Sequence, residues 1–187
     1  MIFHEGAHAE IGWHTEVLYL DDEYTLGPAV KEQMEKEANG FAAHVQFFGP
    51  RFAAEARELP FGIASVRSLA DRYSTSIESS LRRYVETRKE ECICGVFRLG
   101  RHPDGLREML TFRYFVKSAA NRTYWRFPCR VGETLPMDDP LVVLLNEGKL
   151  LGNEIHLDTR YDPKTESAYL EEAFCNGHSV FLLVRKI

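Results

Sequence analysis

The sequence is poor in cysteine, in basic charge and in long apolar runs, and each shortage excludes a class of protein. Its four cysteines, Cys92, Cys94, Cys129 and Cys175, form no CxxC pair, which argues against a disulfide framework or a zinc ribbon. No run approaches the roughly 18 apolar residues of a membrane-spanning helix, and no signal peptide opens the chain. We therefore expect a cytoplasmic protein with reduced thiols and no membrane partner.

The charge balance is mildly acidic, with 23 Lys and Arg against 28 Asp and Glu and a formal net charge of −5. Such a balance argues against a protein that coats nucleic acid, but it allows a local DNA-binding patch. The chain has 187 residues, of which 44% are hydrophobic, so it is long enough for one sizeable core or two small ones.

Apolar residues recur at helical spacing over residues 1–60, which predicts a small helical domain. A loop rich in Asp and Gly at residues 21–28 separates the first helix from a second helix at residues 29–48. Gly49 and Pro50 follow the second helix and are expected to end it.

Two further patterns predict a second and a third domain. Over residues 61–90, two short helical periods flank a polar break, with Ser76 as the N-cap of the second helix, and this is the outline of a helix-turn-helix. Over residues 91–187 the pattern predicts a mostly antiparallel α/β domain, so that the expected fold class is α+β. Its predicted elements are strands at residues 93–99, 109–116, 124–127, 169–174 and 180–184, one helix at residues 140–148, and a hairpin at residues 176–177.

Residues 4–8 form an H-E-x-x-H motif in the first predicted helix. Residues four apart lie on one face of a helix, so the imidazoles of His4 and His8 can bind a single metal ion. Glu5 is then expected to point to the open metal position and to act as general base toward the attacking water. The alternative is a surface helix with two solvated histidines, because three fixed residues recur by chance in roughly 1–2% of chains of this length.

A catalytic zinc site has three protein ligands and one open position, so a third ligand is expected. The second predicted helix offers Glu35, with Glu37 as the neighbouring alternative. Asn39 lies one turn after Glu35 and is expected to support the ligands by hydrogen bonding from behind. The alternative here is that both glutamates only solvate a helix whose Ala and Phe residues form core.

Taken together, H-E-x-x-H at residues 4–8 and E-x-x-A-N-x-F-A-A at residues 35–43 resemble the ImmA/IrrE family of metallo-endopeptidases. The resemblance continues into S-x-x-x-L-A-x-x-Y-x-x-S-x-x-S-S-L-R-R at residues 65–83, which looks like the helix-turn-helix that follows the peptidase in this family. It covers the chain to about residue 90 and is loose beyond. It implies a Zn²⁺ ion held by His4, His8 and Glu35.

The resemblance also implies a function: a zinc-dependent endopeptidase that cleaves a helix-turn-helix transcriptional repressor and so switches on stress-response or mobile-element genes. For residues 91–187 it implies a sensory or substrate-docking domain similar to the GAF fold. Nitrogen and oxygen ligands accept manganese as well as zinc, so the spacing does not decide between the two metals. The alternative function is a non-catalytic regulator that binds DNA or senses a ligand and derives from such a peptidase.

Two features depart from the family pattern. Family members carry a helix and a small β-sheet ahead of the zinc helix, and an edge strand there usually pairs with the substrate backbone, whereas only residues 1–3 precede the motif in this sequence. Gly6 and Ala7 stand where the family usually has a larger apolar residue followed by Gly, and glycine inside a helix costs about 1 kcal/mol relative to alanine. We therefore expect a weakened or inactive peptidase.

The helix-turn-helix and two histidines outside the motif supply further candidates. For contacts with DNA or substrate these are Ser79, Ser80, Arg82, Arg83, Arg88 and Lys89. Acidic residues between them dilute the positive field, and two-helix corners are common packing units, so a docking or scaffold role is the favoured interpretation. His14 and His44 are each expected to be partly exposed helix histidines rather than ligands.

Overall fold

The chain combines helices with one antiparallel sheet, which confirms the predicted α+β class. The computed structural model describes residues 2–20, 27–121, 130–162 and 167–187. The chain divides into two compact units, Met1–Ala54 and Glu55–Ile187, while the predicted domain limits near residues 60 and 90 stay predictions. Among the described residues, no helix is both long enough and apolar enough to cross a membrane.

The described residues contain seven helices and five strands. The helices are α1 (Ile2–Glu10), α2 (Gly12–Leu20), α3 (Pro28–Gln46), α4 (Pro50–Glu58), α5 (Ile63–Tyr73), α6 (Ile77–Thr87) and α7 (Pro140–Asn146). The strands are β1 (Cys92–Arg101), β2 (Glu108–Lys117), β3 (Glu154–Asp162), β4 (Ser167–Cys175) and β5 (Ser179–Lys186). The predicted strand at residues 124–127 lies outside the described residues, and the predicted end of the second helix is correct, although Pro50 then begins α4.

The first unit is built on the contact of α1 with α3. Ala7 on α1 and Ala38 on α3 are fully buried, and side chains this small let two helix backbones approach each other closely. Met34, one turn before Ala38, is buried as well. The close approach of α1 and α3 determines how far apart the polar side chains beside this seam lie.

Two glycines of the first unit should respond in opposite ways to substitution by alanine. Gly40 lies inside α3, is exposed, and a Cβ added there would meet nothing within 4 Å. Since glycine in a helix interior is about 1 kcal/mol less favourable than alanine, we expect Gly40→Ala to raise the free energy of unfolding by up to that amount. Gly49 has a φ of +58°, and its Cβ would lie 3.0 Å from the His44 ring, so Gly49→Ala should destabilise the protein. Urea unfolding of both variants checks this, and a lower midpoint for Gly40→Ala would contradict it.

In the second unit, α5 and α6 are joined by a turn at residues 74–76. Ser74 adopts the left-handed conformation that ends α5, with a φ of 50°. The Ser76 hydroxyl accepts a hydrogen bond from the Ser79 backbone N–H at 3.0 Å, which confirms Ser76 as the N-cap of α6. The two predicted helical periods are therefore real helices with defined ends.

The five strands form one antiparallel sheet in the order β2-β1-β5-β4-β3. Six consecutive residues at the start of β1 are buried, and since neighbouring side chains point to opposite faces, both faces of the sheet are covered there. The predicted hairpin at Asn176 and Gly177 is confirmed: the Asn176 side chain accepts from the His178 and Ser179 backbone N–H groups, and Gly177 has a φ of +88°.

The α5–α6 pair belongs to the same compact unit as the sheet. Helix α6 contacts β1 and β2, and α5 contacts β4. Glu172 on β4 is buried, and its carboxylate accepts a hydrogen bond from the Ile63 backbone N–H at 2.7 Å. A carboxylate is favourable at this place because the first N–H groups of a helix lack partners within the helix. The helix pair is thus attached to the sheet by a polar contact as well as by its apolar faces.

Candidate metal centre

Three side chains from two helices converge beside the α1–α3 seam. His4 and His8 lie one turn apart on α1, and Glu35 lies on α3. The Glu35 carboxylate is 3.2 Å from Nε2 of His4 and 3.6 Å from Nε2 of His8. One possible ligand atom from each residue lies within 4.8 Å of the other two, and these three residues form the candidate metal cluster of the described part of the chain.

The donor set and its spacing fit a zinc ion. Two imidazole nitrogens and one carboxylate oxygen are a usual ligand set for catalytic zinc. Two atoms that each lie about 2.1 Å from a tetrahedral zinc are about 3.4 Å apart. The two distances from the Glu35 carboxylate are near this value, but they involve different oxygens: Oε2 lies 3.2 Å from His4 and Oε1 lies 3.6 Å from His8. One donor atom from each residue lies within 4.8 Å of the other two, so the three side chains can reach a single ion after a rearrangement.

One side of the cluster is open to solvent. The exposed fraction of the side chain is 58% for Glu35, against 25% for His4 and 19% for His8. A buried structural zinc site is closed by a fourth protein ligand, whereas a catalytic site keeps a position for water and substrate. With both histidines half-buried and Glu35 exposed, the cluster has a side that faces solvent.

Glu5, the predicted general base, follows His4 directly on α1 and is exposed. Its carboxylate has no hydrogen-bond or ion-pair partner among the described residues, so no other group competes for its proton-accepting oxygens. Asn39 was predicted to support the ligands, but it is exposed and makes no hydrogen bond within the described residues. Asn39 lies one turn beyond Glu35 on α3. The side chain that contacts the cluster from behind comes from α2 instead.

That group is His14, and the expectation that it is partly exposed is wrong. His14 is fully buried, and its Nδ1 lies 3.1 Å from Nδ1 of His8. Nε2 of His14 lies 3.4 Å from the Glu37 carboxylate. The helix period of α1 does not predict this contact, because α1 ends at Glu10 and α2 starts again at Gly12 in a new direction. His44 is exposed, as expected.

Glu35 and Glu37, which the spacing left as alternatives, have different partners. Glu35 faces His4 and His8, whereas Glu37 accepts hydrogen bonds from Gln33 at 2.6 Å and from Trp13 at 2.7 Å. The hydrogen bond from Gln33, followed by that from Trp13, holds the pKa of Glu37 below its usual range. Glu37 is therefore a fixed anionic acceptor beside His14.

Among the residues predicted to contact DNA, Lys89 is exposed, whereas the arginines have partners within the protein. Arg82 is exposed but pairs with Glu86 at 3.2 Å, one turn further along α6, and Arg83 lies 3.9 Å from the same carboxylate. Ser79 is half-buried, and its hydroxyl accepts a hydrogen bond from the Ser76 hydroxyl. Ser80 is buried.

Arg88 is also buried, which corrects its assignment to phosphate contacts. Its guanidinium donates to the backbone oxygens of Ala56 and Leu59 and to both oxygens of the Glu90 carboxylate. It also lies over the Tyr84 ring, 4.9 Å from the ring centre. Arg88 is thus an internal anchor of the second unit.

The three thiols in the described part of the chain are buried side chains. Cys92, Cys94 and Cys175 are free and buried, and Cys129 lies outside the described residues. Burial raises the pKa of Cys92 to about 11 and raises the pKa of Cys94 and Cys175 as well. Because the thiolate is the reactive form, these three side chains act as core residues.

A search with models of known protein families found no match to the chain, and a search of curated proteins also found none. The resemblance to the ImmA/IrrE family therefore depends on the motifs at residues 4–8, 35–43 and 65–83.

Proposed function

We propose that the chain is a cytoplasmic zinc-dependent endopeptidase that cleaves a helix-turn-helix transcriptional repressor and so derepresses stress-response or mobile-element genes. The observation that carries the proposal is the convergence of His4, His8 and Glu35, from two different helices, at distances that suit one divalent ion. An H-E-x-x-H motif on a helix without a third ligand nearby would support only a pair of solvated histidines.

In this proposal His4, His8 and Glu35 hold the ion. Zinc, when bound to two neutral imidazoles and one carboxylate, retains a net positive charge that acidifies water and polarises the carbonyl of a peptide bond. The remaining chemistry, which is proton transfer, is carried out by a side chain of the protein. The cluster is open to solvent on the Glu35 side, which is the side from which a substrate peptide would approach in this proposal.

Glu5 supplies the acid–base chemistry. It adjoins a ligand, is exposed, and carries no competing contact among the described residues, so its carboxylate is free to accept a proton from the attacking water. The same group then donates that proton to the amine that leaves when the peptide bond breaks. One residue serves both steps because the amine departs from the carbon that the water attacks.

The substrate class comes from the family resemblance and not from the site. The direct test is incubation of the purified zinc-loaded protein with a candidate helix-turn-helix repressor, followed by mass spectrometry of the products. We expect one or a few defined cleavage products, complete loss of cleavage on addition of a chelator, and recovery when zinc is restored. Cleavage that persists in chelator would contradict a metal-dependent mechanism.

The alternative, a non-catalytic regulator that binds DNA, draws support from the two capped helices α5 and α6. The charges count against it, because Arg82 and Arg83 both lie near Glu86 and Arg88 is buried. A DNA-binding module relies on basic side chains that are free to contact phosphates. The α5–α6 pair is better explained as a scaffold packed against the sheet, and the GAF-like character of residues 91–187 is part of this proposal.

A further inference from the structure

The two histidines of the proposed metal site differ in what lies behind them. Nδ1 of His8 is 3.1 Å from Nδ1 of the fully buried His14. Nδ1 of His4 is buried and has no hydrogen-bond partner in the described part of the chain. A metal-binding histidine normally uses its second ring nitrogen to donate a hydrogen bond, which fixes both its tautomer and the orientation of its ring. Here only His8 has a partner for that purpose.

The positions of the ring hydrogens on His8 and His14 depend on which neighbouring groups can donate a hydrogen bond and which can only accept one. Nε2 of His14 lies 3.4 Å from the Glu37 carboxylate, close enough for an ion pair but without the geometry of a hydrogen bond. An ionised carboxylate can only accept, so the hydrogen of a neutral His14 is favoured on Nε2, which makes Nδ1 of His14 the acceptor. With His14 in this form, the hydrogen between His8 and His14 belongs to Nδ1 of His8, and Nε2 of His8 keeps its lone pair.

That lone pair is on the correct atom for a ligand. Nε2 of His8 is the nitrogen that faces the Glu35 carboxylate, at 3.6 Å. Glu37 is itself held by hydrogen bonds from Trp13 and Gln33, so the acceptor at the far end of the chain is fixed in place. The contacts that lead from Trp13 through Glu37 and His14 to His8 therefore favour one tautomer of His8. This is the tautomer that can bind an ion through Nε2.

We propose that His14 and Glu37 are positioning residues that hold His8 in its metal-binding tautomer and orientation. This inference rests on the proposed function, because it needs an ion at His4, His8 and Glu35. It assigns to the buried His14 a role that the spacing of the H-E-x-x-H motif does not contain. It also separates the two glutamates of α3: Glu35 binds the ion, and Glu37 orients a ligand through His14.

The test is zinc affinity, measured by competition with a chromophoric chelator, for the parent and for variants at position 14. We expect His14→Phe, which keeps the ring volume but removes both nitrogens, to weaken zinc binding about 10–100-fold. His14→Asn should restore part of the loss, since its amide oxygen can accept from Nδ1 of His8. The control His44→Phe changes an exposed histidine on α3 and should bind zinc as the parent does.

The outcomes separate this inference from the proposed function. If the parent binds no zinc, both are overturned. If the parent binds zinc and His14→Phe binds it equally well, the role of His14 is overturned and the metal site stands. If circular dichroism shows that His14→Phe does not fold, ¹H–¹⁵N correlation spectra of the zinc-loaded parent test the inference instead. A hydrogen on Nδ1 of His8 supports the inference, and a hydrogen on Nε2 of His8 overturns it.

Discussion

Replacing Glu35 with alanine should remove stoichiometric zinc binding while leaving the fold intact. Losing a group that only supports a ligand weakens metal binding about 10–100-fold, so losing one of three ligands should exceed about 100-fold. The fold should survive because Glu35 is 58% exposed and alanine favours a helix more than glutamate does. The measurement is zinc content after gel filtration, together with the dissociation constant from chelator competition.

Zinc should also raise the free energy of unfolding of the parent, and it should leave that of Glu35→Ala unchanged. A ligand present at 100 times its dissociation constant stabilises the folded state by about 2.7 kcal/mol. Thermal unfolding with and without zinc should therefore show a clear increase in the parent and none in Glu35→Ala. The matched control is Glu32→Ala, which removes an exposed carboxylate of the same helix that pairs with Lys36. Equal zinc binding by Glu35→Ala and the parent would eliminate Glu35 as a ligand.

The second large effect is expected for a substitution at Glu5, which should lower the rate of cleavage without changing zinc affinity. Glutamine has nearly the shape of glutamate but cannot take a proton from water at neutral pH. General acid–base catalysis contributes about 10²–10⁴-fold, so Glu5→Gln should slow cleavage of a repressor substrate by that factor. Zinc affinity should stay at the parent value, because Glu5 is exposed and is not one of the three converging side chains.

The control for this variant is Glu10→Gln, which alters another exposed glutamate of α1 at the end of the helix. It should cleave at the parent rate. Two results would remove Glu5 from the mechanism: cleavage by Glu5→Gln at the parent rate, or loss of zinc from that variant. The first would mean that another group is the base, and the second that Glu5 binds the ion.

The ligands on α1 could be predicted from spacing because one helix turn brings His4 and His8 together whatever the rest of the chain does. The choice between Glu35 and Glu37 could not, since it depends on how α3 is rotated against α1. That rotation is set by the buried Ala7 and Ala38, and a helical period alone does not show which partner helix covers them. Distances between two helices are a tertiary property.

The role of His14 was missed for a similar reason. From the sequence, His14 lies just beyond the predicted zinc helix, so a partly exposed position was expected. The break between Glu10 and Gly12 redirects the chain and buries His14 beside His8. The neighbouring Trp13 was the available signal, because a partly buried indole N–H usually finds an acceptor, and the half-buried Glu37 provides one.

In the second unit, local signals were sufficient for most of the elements, but they did not bound β3 and did not give the arrangement of the strands. Ser76 and the Asn176–Gly177 pair fix a helix start and a hairpin by backbone chemistry alone. The strand order β2-β1-β5-β4-β3 depends on pairings between distant segments, which alternation does not encode. The burial of Arg88 likewise depends on carbonyl groups of residues 56 and 59, far away in sequence.

Anomalous diffraction at the zinc absorption edge, from crystals of the zinc-loaded protein, will locate the ion itself. We expect one strong peak about 2.0–2.2 Å from Nε2 of His4, Nε2 of His8 and a carboxylate oxygen of Glu35. A zinc ion bound to other side chains, or no peak at these three residues, would contradict it.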